Sequence, residues 1–169
     1  MSVSMYRATV PIFIQGLDVL ASLLQKAAAH AQEKALLESE LIGARLFEDM
    51  APLSAQIQRA SDTAKKSAER LSGVAAPSFA DDETSFAQLQ ARIANTRAYL
   101  ASIDSATFDG SEARTVPMKF GSMSKDFLGE EYLFTFGIPN FYFHVTTAYD
   151  ILRHRGVQIG KLDFLGIDA

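Results

Sequence analysis

Apolar residues recur along this chain at alternating spacings of four and three, which places them on one face of an α-helix. Tyr6, Val10, Phe13, Leu17, Leu20, Leu24, Ala27 and Ala31 form the first such seam. Pro11 lies inside it, and its missing N–H predicts a helix that begins near Val10 or one that starts earlier and bends there. Residues 34–48 are apolar without a period and contain Gly43, as in a linker with one short helix. Asp49 is the expected N-cap of a second helix, with Pro52 in its first turn. Its seam is Leu53, Ile57, Ala60, Ala64, Ser67 and Leu71, small enough to admit a close neighbour, and Gly73 ends it. Ser85 and Gln88 fit a capping box for a third helix, whose seam is Phe86, Leu89, Ile93, Thr96, Leu100 and Ile103. Turn-forming residues at 104–110 close it.

Between 114 and 127 the period changes. Val116, Met118 and Phe120 alternate with polar or proline positions and Gly121-Ser122 follows, which predicts a short hairpin whose Pro117 confines its strand to an edge. Residues 130–155 form the fourth helix. Phe134, Ile138, Phe141, Val145, Ala148 and Leu152 make one stripe, and Leu133, Asn140, His144, Thr147 and Ile151 a second beside it. Thr146, Asp150 and Arg153 take the solvated face. Two adjacent stripes predict a helix buried over more than half its circumference, at the centre of the fold. The tail, 157–169, is expected to lie extended across it. The whole pattern predicts an all-α antiparallel four-helix bundle in one domain, residues 1–169, with a hairpin-like insert before the last helix.

Composition narrows the function classes. The 169 residues are 48% hydrophobic and 21% charged, ordinary globular values, and suffice for one core without staples. The net charge of -4 and the scatter of Lys and Arg argue against nucleic acid as a partner. The absence of cysteine removes disulfides, thiolate catalysis and cysteine zinc sites. The N-terminus lacks the pattern of a secretory leader. The longest apolar runs carry Gln15, Asp18 or Gly137, too short for a membrane span. A cytoplasmic protein is expected.

Asn140 and His144 are the candidate functional residues. Four apart, they share a helical face, and they interrupt a seam that would otherwise be apolar. An unsatisfied buried polar group costs roughly 1 to 3 kcal/mol, so the pair implies either a hydrogen-bonded core couple that fixes helix register or a polar pocket for a ligand or metal. Asp49 and Gln56 at the start of the second helix are their natural complements. Gly137-Ile-Pro139 just before the pair predicts a kink. His30 and His154 read as helix-end surface residues, and Asp81-Asp82-Glu83 as a solvated acidic flank. The aromatic group Phe134, Phe136, Phe141, Tyr142 and Phe143 reads as core, except that Tyr142 falls near the solvated face and is alternatively placed under the tail or at an oligomer interface. No phosphate loop, HExxH, Glu-x-x-His or G-x-S-x-G pattern is present.

Asp49-Met-Ala-Pro-Leu with Gln56, then Asn140-Phe-Tyr-Phe-His144 through Leu-Arg-His154-Arg-Gly156, then Gly160-Lys-Leu-Asp163-Phe-Leu-Gly, resembles one family of bacterial domains of unknown function within the DinB-like (YfiT-like) four-helix-bundle superfamily. The resemblance covers the whole chain and is most specific in its C-terminal part. It implies the bundle fold and a homodimer. In that superfamily many members bind a divalent metal through one histidine on helix two and an H-x-x-x-H pair on the last helix, and some are thiol-dependent transferases or hydrolases. Here the second histidine of that pair falls on His144 and the first on Asn140, while helix two offers only Asp49 and Gln56. That is a weak ligand set for zinc or nickel, so no cofactor is favoured. Three classes follow: a small-molecule binding protein using Asn140, His144, Asp49 and Gln56; a metal-dependent hydrolase or transferase with His144 as a ligand and Asp49 as a carboxylate ligand or base; and a structural or interaction protein.

Overall fold

The structure is a computed structural model and describes residues 3–167. It is mostly helical, with one small two-stranded sheet. The long helices are α1 (Met5–Lys34), α3 (Leu53–Ser72), α4 (Phe86–Ser102) and α6 (Ile138–His154). Short helices α2 (Glu38–Ile42), α5 (Gly129–Tyr132) and α7 (Lys161–Leu165) join or flank them.

Helix α1 starts at Met5, where the Ser4 hydroxyl accepts from the N–H of Arg7 at 3.3 Å, and it runs through Pro11. Its seam from Val10 to Ala31 is buried. The helix is long and apolar enough to cross a bilayer, against the expectation from its polar interruptions, but over half of that stretch is buried within the protein. Helix α4 has the capping box expected from Ser85 and Gln88.

The start of α3 differs from expectation. Pro52, not Asp49, is the N-cap, and Asp49 is exposed in the preceding turn. Proline disfavours helical backbone at the residue before it, so Ala51 cannot join the first turn that an Asp49 cap requires.

Helix α1 packs on α4 and α6, and α3 packs on α4 and α6, which closes a ring of four. Helices α1 and α3 also touch across the middle, where Ala60, Ala64 and Ala68 of α3 are fully buried. Helix α6 thus occupies a corner of the ring and not its centre. Its two buried stripes face its two neighbours. At one close approach Gly16 of α1 lies under the ring of Phe141, where a Cβ would overlap it.

The hairpin is present as β1 (Thr115–Phe120) and β2 (Met123–Leu128), antiparallel from Thr115↔Leu128 to Phe120↔Met123. Val116, Met118 and Phe127 turn one face inward. The chain then enters α5 and continues into α6 through a π-helical turn at Leu133–Gly137, in which the N–H of Ile138 bonds to the carbonyl of Leu133. This wider turn stands where a kink was expected before Pro139. It adds a residue and shifts the helical phase, so Phe134 is exposed, not buried, and Tyr132, Leu133 and Gly137 face the core.

The tail is not simply extended. Val157 and Ile159 are buried, α7 packs on α1, Lys26 pairs with Asp163, and Phe164 meets Tyr149 edge-on at 5.8 Å.

Candidate functional site

The α3–α6 interface carries the polar groups that the apolar seams cannot absorb. His144 is 7% exposed, and its Nδ1 lies 2.8 Å from Oε1 of Gln56, itself buried. The Gln56 amide nitrogen donates to the carbonyl of Ala51 at 2.9 Å. Its oxygen therefore faces the imidazole and can only accept, which assigns the proton to Nδ1 and the lone pair to Nε2. Burial, joined by the charge of Arg59, pulls His144 from 6.5 down to about 4. The ring is neutral at pH 7, and Nε2 has no protein partner among the described residues.

Asn140 sits one turn earlier, half-buried. Its Nδ2 donates to Oγ1 of Thr63 at 2.8 Å, and that hydroxyl donates to the carbonyl of Arg59 at 2.7 Å. The Asn140 carbonyl oxygen has no protein partner among the described residues. The structure thus brings Asn140, His144 and Gln56 to one stretch of interface and leaves Asp49 outside it.

Asn140 and His144 line a cleft of ≈ 220 Å³. Arg59, Asp62, Thr63, Lys66 and Arg70 of α3 form its other wall, and Met118, Tyr132 and Phe136 complete it. The Tyr132 hydroxyl accepts from Nη1 of Arg70 at 3.0 Å and lies 2.9 Å from Oγ of Ser67. The π turn brings Gly137 so near α3 that a Cβ would stand 3.2 Å from that same Ser67 Oγ. Thr63 and the cations of this wall were not singled out from sequence. Their spacing of i, i+4, i+7 and i+11 on the flank of a helix was the available signal.

Asp62 is already engaged. It lies 2.9 Å from Lys65 and 2.9 Å from Arg92. Arg92 is buried in α4 and also reaches Asp81 and Glu83, each at 2.9 Å. The acidic run before α4 is therefore not a freely solvated flank, since Glu83 is largely buried against this guanidinium. Burial would raise the Glu83 pKa, but hydrogen bonds from Arg92 and Gln58 outweigh it and hold the carboxyl below its ordinary value.

A larger groove, ≈ 1050 Å³, runs between α1 and the C-terminal segment. It contains none of the predicted site residues, and its Asp163 is taken up by Lys26 and the N–H of Gly160.

A ring of four long helices with a hairpin before the last, and a polar pair facing α3 from α6, defines a protein of the DinB-like class. A crystal structure of a DinB family member protein from Shewanella denitrificans matches 97% of this chain and 93% of that one, at 39% identity and a TM-score of 0.88. Residues 5–165 match the family described as "Domain of unknown function (DUF1993)", and the chain belongs to that family. Among curated proteins none matches.

Proposed function

We propose that this protein binds a small molecule in the cleft between α3 and α6, with Nε2 of His144 and the carbonyl oxygen of Asn140 as its polar contacts. One observation carries the reading: both groups line the cleft, and neither acceptor is used by another of the described residues. We read the ring of helices as the antiparallel four-helix bundle of DinB-like proteins, a reading supported by the pairings of α1, α3, α4 and α6.

The residues present do not fit the divalent metal that the superfamily suggests. The cleft offers one imidazole and one carboxamide, Gln56 is spent on His144, Asp49 is distant, and three cations line the wall. Zinc and nickel sites need several imidazole, thiolate or carboxylate donors. Metal-dependent transfer or hydrolysis is therefore the weaker reading.

Thermal-shift screening of the wild type and His144→Leu tests the proposal. A ligand that raises the melting temperature of the wild type alone supports it. If the pair serves register only, no compound acts, and the substitution strands Gln56 at a cost of about 1 to 3 kcal/mol. Stoichiometric zinc or nickel in untagged protein, lost in His144→Leu, would restore the metalloenzyme.

A further inference from the structure

The α3 wall of the cleft presents Arg59, Lys66 and Arg70 on one helical stripe. The protein as a whole carries a net charge of -4, so three cations around one small opening are not its background composition. Two of the three have no carboxylate partner among the described residues. Among the described residues Arg59 has no carboxylate within ion-pair distance, and the Arg70 side chain bonds only to the neutral Tyr132 hydroxyl. Asp62, the one carboxylate in the wall, is held by Lys65 and Arg92, while Lys66 stands 3.9 Å from it. The opposite wall, on α6, supplies Asn140 and His144, and the remaining lining residues Met118, Tyr132 and Phe136 bring no charge.

We infer that the ligand of this cleft carries an oxyanion, a carboxylate or a phosphate, held by Arg59, Lys66 and Arg70, together with a hydrogen-bond donor that meets Nε2 of His144; this assignment rests on the binding role proposed above. Guanidinium groups match oxyanions in pairs of parallel hydrogen bonds, and lysine adds a point charge. On the other wall the protein offers only acceptors, the imidazole Nε2 and the Asn140 carbonyl, so the ligand must bring an O–H or N–H of its own. At ≈ 220 Å³ the cleft lies below the ~300–1,000 Å³ of drug-sized pockets. A hydroxy acid, an amino acid or a small phosphate ester meets these terms, and a dinucleotide does not.

The test uses the full chain with three probes at matched ionic strength: citrate, its analogue tricarballylate that lacks the hydroxyl, and inorganic phosphate. Melting temperature and the ring nitrogen shifts of His144 are read together. The expected result is saturable binding, citrate tighter than tricarballylate, with the Nε2 shift of His144 moving as citrate fills the site and less so with tricarballylate. Arg59→Gln with Lys66→Gln, both exposed positions, should weaken binding at least tenfold. Lys34→Gln with Lys161→Gln, equally exposed but outside the cleft, should leave it unchanged. Phosphate binding without citrate binding assigns the oxyanion to a phosphate ester, and the reverse assigns it to a carboxylate. Equal responses in the two double variants, or to sodium chloride alone, overturn the inference. Uncharged compounds that act through His144 while no anion does would sink the anion and spare the pocket. No response to any probe of either kind removes both.

Discussion

His144 is held neutral by where it sits, and that makes its protonation a load on the fold. The unfolded chain binds a proton there near pH 6.5 and the folded protein only at about 4. Between those values the unfolded state holds more protons, so stability rises with pH. The contribution of His144 is therefore complete above about pH 6.5 and is lost as the pH falls toward 4, a total on the order of 3 kcal/mol. Urea melts at about pH 7.5 and about pH 4.5 should show His144→Leu escaping that part of the loss. A difference between wild type and variant that does not change with pH would mean the imidazole protonates freely in place. Two positions away from the site calibrate the same helix. Phe141→Ala removes a fully buried ring and should cost about 3 to 5 kcal/mol, and Thr146→Ala on the exposed face less than about 0.5. Denaturant midpoints check both. His144 and Gln56 were legible because polar residues stood out against an apolar period. Asp49 was misplaced because the backbone restriction before Pro52 outweighs a good capping side chain.

At the scale of elements, helices meet where side chains are missing or where charges are satisfied. Gly16→Ala should cost about 1 to 3 kcal/mol, because its methyl would press on Phe141 in a packed core. A wild-type melting temperature in that variant would show that α1 and α6 can move apart. Arg92 ties the loop before α4 to α3 through Asp62, Asp81 and Glu83. Arg92→Met leaves the half-buried Glu83 without its cation, so a loss of about 1 to 3 kcal/mol is expected in chemical denaturation. A near-neutral result would mean that water reaches Glu83 readily. The seams of α1, α3 and α4 and the capping box of α4 were legible in the sequence because local chemistry dictates them. The Arg92 cluster was not, because its members lie far apart in the chain and each looks like an ordinary surface charge. Nor was the π turn, because periodicity read backwards from Phe141 assumes an unbroken α-helix and so turns Phe134 inward.

Over the whole molecule, the ring of helices carries most of the buried apolar side chains, and the hairpin and α7 are attached to its outside. Among the described residues of β2 only Phe127 is buried, and α7 buries none. Amide exchange should therefore be slowest along α1, α3 and α6 and clearly faster in residues 115–128 and 161–165, which open without breaching the core. Uniform protection across all of these would mean one cooperative unit. The class of fold was legible because the four-three period repeats over four long segments. The place of α6 in the ring was not, since two buried stripes fit a corner helix with two neighbours as well as a central one.

The π turn also divides the last long helix into two lengths of independent phase. The five residues at Leu133–Gly137 act as a joint in the register: Gly129–Tyr132 follows the hairpin, and Ile138–His154 follows α1 and α3. Deleting one residue inside the joint should do what no substitution there does, restoring plain α-helical pitch and rotating the segment before it by about 100°. Tyr132 would then swing away from Ser67 and Arg70 while Asn140 and His144 kept their places. The wall of the cleft would be redrawn with its polar pair intact, so a change of length at this joint, more than an exchange of side chains, reshapes that opening.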